Sequence, residues 1–199
     1  MPTFELETQC HAAGYLHVCG VDEAGRGPLS GPVVAAACIL SPDEPLEGVD
    51  DSKKLTEKKR ERLYDAITGQ AIAYGIGMAS PEEIDRLNIL NATMLAMRRA
   101  IGALTVPPDF ALVDGNVIRD FPVPAKAVIR GDSLSYSIAA ASILAKVTRD
   151  RICMQDALLY PEYHFERHKG YATKEHMDIL RAIGPCPIHR RSFLGFLDQ

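Results

Sequence analysis

In Val21-Asp22-Glu23-Ala24-Gly25-Arg26-Gly27-Pro28, two adjacent carboxylates run straight into a Gly-Arg-Gly loop. The stretch follows an apolar run (Tyr15, Leu16, Val18, Val21) and precedes another at residues 33–40. The acids therefore leave the end of an expected buried strand. Neighbouring side chains on a strand point to opposite faces. Asp22 and Glu23 can share one ion only if the backbone departs from strand geometry there, and the glycines just after permit that. Buried carboxylates are unfavourable unless paired or bound to metal. An acidic turn closing a hairpin explains the stretch equally well when it is taken alone.

Working outward, residues 15–22 and 33–40 read as consecutive strands, and the short Gly/Pro connection makes them antiparallel. Residues 69–79, with Ile72, Tyr74, Ile76 and Met78 in alternation, predict a third strand. Thr56 caps a helix over residues 56–67, with Glu57 in its first turn. Ser80-Pro81-Glu82-Glu83 is a helix start, and the apolar spacing predicts one helix from there to Gly102. Residues 110–114 and 127–130 are short apolar strands. Residues 135–159 predict a long helix ended by Pro161. Thr173 caps a further helix that stops at Gly184-Pro185. Strands alternating with helices make this an α/β domain with a mixed sheet and a small helical C-terminal part. The expected division is a core at 1–160 and an extension at 161–199.

Asp114 and Asp132 resemble the opening pair in their setting. Each sits where an apolar strand meets a glycine-containing turn, Asp114 before Gly115-Asn116 and Asp132 after Gly131. Ligands gather at strand ends in open α/β sheets. Oxygen ligands without His or Cys spacing suit Mg²⁺ or Mn²⁺ over zinc. Two ions about 4 Å apart on such a cluster support in-line attack on a phosphodiester. Any single Asp-Gly is, on its own, an ordinary turn.

The 199 residues suffice for one large or two small domains with a substantial core. At 47% apolar, 24% charged and a formal charge of −4, the composition gives no global argument for a polyanionic partner. Any such site must arise from local clustering. No stretch of 18 apolar residues suggests a membrane span. The N-terminus lacks the layout of a signal peptide. Five scattered cysteines without a CxxC pair fit reduced thiols in a cytoplasmic protein.

Several motifs carry a specific resemblance. They are residues 21–28 and Asp51-Ser52-Lys53-Lys54-Leu55, then Asn88-Ile89-Leu90-Asn91-Ala92-Thr93, Val113-Asp114-Gly115-Asn116 and Gly131-Asp132. Residues 140–150 (AASILAKVTRD) and His168-Lys169-Gly170-Tyr171 complete the series. In this order, spanning roughly residues 15 to 195, the chain resembles ribonuclease HII, the bacterial type 2 ribonuclease H. The resemblance implies an RNase H-like fold, a five-stranded mixed sheet flanked by helices with a helical C-terminal extension. It implies an endonuclease that cuts RNA in RNA/DNA hybrids and nicks duplex DNA 5′ of embedded ribonucleotides, leaving 3′-hydroxyl and 5′-phosphate ends. Asp22, Glu23, Asp114 and Asp132 are the implied metal-binding carboxylates, holding Mg²⁺ or Mn²⁺, with two ions during catalysis.

The 2′-hydroxyl distinguishes RNA from DNA. A backbone exposed by Gly25, Arg26 and Gly27 can approach and hydrogen-bond it. Tyr171 is similar to the family's junction-sensing tyrosine; composition alone makes it a packed surface tyrosine. Arg26 serves as a phosphate contact or a solvated turn residue. The motif match makes Lys53 and Lys54 phosphate contacts, while Lys58 to Arg62 read as a solvated helix face. Ser142, Lys146 and Arg149 follow helical spacing and are expected on one phosphate-binding face. His164, His168, His176 and His189, with Lys169, Lys174, Arg190 and Arg191, read as an electrostatic surface for the duplex. The tail at 192–197 is expected to fold back on its own domain. A monomer is expected, with no protein partner readable. Two rival readings remain, a metal-dependent phosphohydrolase of a small phosphate ester and a non-catalytic hybrid-binding module.

Overall fold

A computed structural model describes residues 1–198. Five strands form one mixed sheet in the order β3-β2-β1-β4-β5. They are β1 (Val18–Ala24), β2 (Val33–Ile39), β3 (Ala73–Ala79), β4 (Phe110–Asp114) and β5 (Ala125–Val128). β1 pairs antiparallel with β2 and parallel with β4, so the sheet changes direction beside the acidic stretch. Every residue of β2 is buried, which its continuous apolar run requires of a central strand covered on both faces.

Helices cover the two faces according to strand parity. Cys19, Val21, Val33, Ala35, Ala37 and Ile39 pack against Ala92, Ala96, Met97 and Ala100 of α4 (Ile89–Gly102). Ala36 and Cys38 face Ala140, Ala141 and Leu144 of α5 (Tyr136–Leu159) and Leu63 and Ile67 of α2 (Glu57–Gln70). At Gly20 an added Cβ would fall on the Ser137–Ile138 backbone, so only glycine lets α5 lie this close to β1. Odd positions of β1 therefore look toward α4 and even positions toward α5.

The expected helix caps are present. Thr56, Ser80 and Thr173 each accept a hydrogen bond from a first-turn backbone amide, Ser80 with Glu83 forms a capping box, and Ser135 adds a cap the sequence reading did not name. Three local expectations are corrected, and one helix is added. The helix expected over 80–102 is two, α3 (Pro81–Leu87) and α4, broken at Asn88 with φ 65°. The Asn88 side chain accepts from the Asn91 amide to start the second helix. The third strand begins at Ala73, because Gly69 and Gln70 still belong to α2. The fifth strand is Ala125–Val128; Arg130 is left-handed (φ 57°) and Gly131–Ser133 form a 3-10 turn. An N-terminal helix, α1 (Glu5–Ala12), had no sequence counterpart. It docks through buried Glu7, which accepts from the Ser135 hydroxyl (2.6 Å) and the Ser137 amide (2.9 Å).

From Pro161 on, α6 (Phe165–His168), α7 (Lys174–Ile183) and short 3-10 turns surround a cluster of their own. Tyr163, Phe165, Leu180, Cys186 and Leu194 meet Leu29 there, contributed by the loop after β1. Phe193 and Leu197 pack against this cluster, so the tail does fold back. Gln199, the end of the expected extension, lies outside the described residues. Among the described residues no helix is long and apolar enough to cross a membrane, and all five cysteines are free.

Candidate active site

Asp22 is an even residue of β1 and lies on the α5 side of the sheet. Val21 pairs with Val113 across the parallel β1–β4 ladder, so Asp22 and Asp114 are the next residues on their strands. Asp132 comes from the 3-10 turn beyond β5, and its turn is tied to the sheet by the Gly131 amide, which donates to Asp114 Oδ1 at 2.6 Å. One carboxylate oxygen from each of Asp22, Asp114 and Asp132 lies within 4.8 Å of the others. Glu23 is not in that group. The backbone does not leave strand geometry at Asp22–Glu23, since both pair with β2 at Ala36 and Ala35. Glu23 follows Asp22 at the mouth of the cleft, where Arg26 Nη1 reaches it at 3.3 Å.

The electrostatics separate this cluster from ordinary surface acids. Burial raises the Asp22 pKa well above the usual carboxylate range, and Glu23 and Asp114 push it the same way. Burial also raises Glu23, against the pull of Arg26, and raises Asp114 with Asp132 beside it. Carboxylates crowded in this way are unfavourable as anions unless a cation joins them. Three oxygen donors, with no His or Cys among them, fit a hard divalent ion such as Mg²⁺ or Mn²⁺.

A cleft of about 150 Å³ opens next to the acids. Asp22, Glu23, Gly25, Lys53, Ser142, Lys146, Arg149 and Tyr171 line it; Asp114, Asp132, Arg26, Gly27 and Lys54 do not. Gly27 nevertheless faces Tyr171, whose Cε1 would stand 3.5 Å from a Cβ added there. Tyr171 itself is 47% exposed. Lys53 Nζ sits 3.3 Å from Asp132 Oδ2, with most of its side chain in solvent. Lys54 reaches Asp50 and Ser133, and Lys146 pairs with Asp150 at 2.6 Å.

Burial reassigns several other expected surface groups. Ser142 is buried and donates to Ser52 Oγ at 2.7 Å, holding the Asp51–Leu55 segment against α5. Arg149 is only 3% exposed, and its guanidinium donates to the Ser30 and Lys169 carbonyls at 2.9 and 3.2 Å. It lines the cleft wall instead of projecting from a phosphate-binding face. Arg60 is not on a solvated face; it donates to the Ser52 and Leu55 carbonyls at 3.0 and 2.7 Å. Sequence reasoning missed it because one arginine among Lys58, Lys59 and Arg62 gives no sign of burial.

The expected histidine surface is largely an interior. His168, His176 and His189 are buried, with His168 stacked on His176 at 4.3 Å and His176 Nε2 3.0 Å from His189 Nε2. Burial lowers all three pKa values, His189 to about 4, so they are neutral at pH 7. Arg190 is fully buried as well, where burial and the nearby Arg149 bring it down to about 9, still charged at neutral pH. Of that expected surface, His164 keeps an exposed pair with Glu175.

Comparison with known proteins bears on the whole assembly. The family model described as Ribonuclease HII matches residues 19–195. The chain is 57% identical over 191 residues to the Ribonuclease HII of Caldicellulosiruptor saccharolyticus, covering 96% of this chain and 93% of that protein. Against the Ribonuclease HII of a Marinomonas species, identity is 58% over 177 residues, covering 88% and 89%. The crystal structure of ribonuclease H2 from Pyrococcus horikoshii OT3 superposes with a TM-score of 0.74 at 28% identity, covering 89% and 93%. The RNase HII of the PCNA complex from Archaeoglobus fulgidus gives 0.73 at 26% identity, covering 88% and 94%. The RNase H-like fold, the strand-end acids and these relatives agree: the chain belongs to the ribonuclease HII family of metal-dependent endoribonucleases acting on RNA/DNA hybrids.

Proposed function

We propose that this endoribonuclease of RNA/DNA hybrids also nicks duplex DNA on the 5′ side of a single embedded ribonucleotide, leaving 3′-hydroxyl and 5′-phosphate ends. Asp22, Asp114 and Asp132 would hold Mg²⁺ or Mn²⁺, with Glu23 beside them at the strand end. Bound there, two such ions supply an activated water and stabilise charge on the leaving 3′ oxygen. The observation that carries the reading is the convergence of three crowded carboxylates next to an open glycine loop facing Tyr171.

Each remaining residue has a defined task. Gly25, Arg26 and Gly27 bring bare backbone to the ribose, where an amide or carbonyl can meet the 2′-hydroxyl. Tyr171 stacks on the sugar that follows and bonds the same hydroxyl through its phenol. Lys53, Lys54, Lys146 and Arg26 exchange their acid partners for substrate phosphates, which adds salt-dependent affinity without reading sequence. Ser142 acts one step back, by seating Ser52 and with it the lysine pair. Residues 161–199 form the substrate-binding extension of the core at 1–160, and the enzyme works as a cytoplasmic monomer.

The test uses duplex DNA carrying one ribonucleotide, with Mg²⁺ or Mn²⁺, beside an all-DNA duplex and an Asp22→Asn variant. A nick 5′ to the ribonucleotide, absent from both controls, is the expected result. Cleavage of long hybrids alone would remove the junction role of Tyr171. Hydrolysis of a free nucleotide would favour the small-ester phosphohydrolase, and metal-independent binding without cleavage would favour a binding module.

A further inference from the structure

Arg190 stands out among the basic residues of the extension. Its side chain is completely buried, and among the described residues it has no carboxylate within ion-pair distance. Its donors go to backbone carbonyls of the loop between β1 and β2. Nη2 donates to Gly25 O at 2.6 Å, Nη1 to Arg26 O at 2.9 Å and Nε to Gly31 O at 2.9 Å. Its amide also donates to Leu29 O at 2.8 Å. A planar guanidinium can span carbonyls on both sides of a loop; an ammonium on one nitrogen cannot.

The loop needs such an anchor. Gly25 and Gly31 both have positive φ, 91° and 76°, and the Arg26 and Gly27 amides have no backbone partner among the turn and loop bonds. Arg149 grips the same loop from the α5 side through Ser30 O and continues to Lys169 O, two residues before Tyr171. The Leu29 amide donates to Gly170 O at 2.8 Å, and the Gly31 amide to Ile188 O at 2.9 Å. The loop and the tyrosine segment are thus fastened to each other and to the extension more closely than to the sheet.

We infer that Arg190 is a positioning residue for ribonucleotide recognition: by holding the Gly25 and Arg26 carbonyls it sets where the Gly25-Arg26-Gly27 backbone meets the ribose. The inference rests on the reading of that loop as the 2′-hydroxyl sensor. It makes the C-terminal extension part of substrate selection through its buried side rather than its surface. The histidine core is the platform that seats Arg190 one residue after His189.

Arg190→Lys keeps the charge and loses the span. On the duplex with one ribonucleotide, kcat is expected to fall about tenfold to a hundredfold, as misplacement of a positioning group does. Binding of an all-DNA duplex should change by less than about twofold, because surface lysines supply that affinity. A folded Arg190→Lys with wild-type kcat, or one that loses all-DNA binding in step with cleavage, overturns the inference. Gly27→Ala and Tyr171→Phe on the same substrates test the sensor reading itself. If they leave ribose discrimination intact, that reading falls; if they impair it and Arg190→Lys does not, only the role of Arg190 falls. Should Arg190→Lys fail to fold, native-state hydrogen exchange on the wild type decides. The Leu29 and Gly31 amides should open together with α7; opening with β2 while α7 stays protected would overturn the inference.

Discussion

The strand-end acids and the C-terminal histidine core are both buried gatherings of ionisable groups, and they treat charge in opposite ways. In the core, His168, His176 and His189 hydrogen-bond to backbone atoms and to each other, and burial keeps them neutral. At the strand ends, Asp22, Glu23 and Asp114 are buried and crowd like charges that Arg26 and Lys53 only partly offset, so their proton affinities rise. A neutral, self-satisfied cluster is a packing device. A crowded cluster that stays unfavourable until a cation arrives is a binding site. Titratable residues in themselves do not mark function; unresolved charge does.

The largest expected effect follows from removing one of the crowded acids. Asp22→Asn should lower kcat on RNA/DNA hybrids by about a thousandfold, comparable to losing a principal electrostatic group. The same variant should melt no lower than wild type in metal-free buffer at pH 8, because a repulsive charge is gone. A marked loss of metal-free stability would make the acids a structural network after all.

Next comes the metal itself. The acids have raised folded pKa values, so their contribution to stability is present at low pH and lost as pH rises through them. Metal-free protein should therefore gain most from Mg²⁺ at pH 8 and least near pH 5. Calorimetry at a hundredfold excess over Kd should show about 2.7 kcal/mol of added stability, missing in Asp22→Asn.

The histidine core has the opposite sign. Its pKa values are depressed, so its contribution is complete above about 6.5 and disappears as pH falls toward about 4 for His189. Unfolding free energy from urea titrations should drop between those limits by about 3 kcal/mol from His189 alone, with or without metal. A flat midpoint over that range would contradict the neutral packing of the three rings. The smallest effect expected is at the cleft edge. Tyr171→Phe should slow nicking at a single ribonucleotide about fivefold, the loss of one hydrogen bond, and leave long hybrids nearly unaffected.

Much of this was legible from local patterns. The five strands, the caps at Thr56, Ser80 and Thr173, and the acids near three strand ends follow from alternation and turn chemistry within a few residues. Asn88 was legible only in hindsight, because no glycine or proline marks the break between α3 and α4. The helix α1 escaped because Glu5, Glu7 and Gln9 give it no apolar stripe; it exists by docking Glu7 onto the start of α5. The histidines, Arg60, Arg149 and Arg190 were misjudged for a common reason. A basic side chain is normally exposed, and sequence does not reveal the carbonyls that satisfy it when it is not.

The sequence by itself determined which residues could carry the chemistry: acids placed after apolar runs, a loop kept bare by glycines, and a tyrosine in a glycine-flanked motif. Tertiary structure alone decided which of them meet. The parallel register that sets Val21 against Val113 joins Asp22 to Asp114, and the turn at Gly131 adds Asp132. Glu23 lines the cleft beside them without joining the three close oxygens, and the folded extension turns Arg190 inward onto the loop. Periodicity and caps are written in neighbouring residues, whereas register and the burial of charge arise only when segments a hundred positions apart pack together.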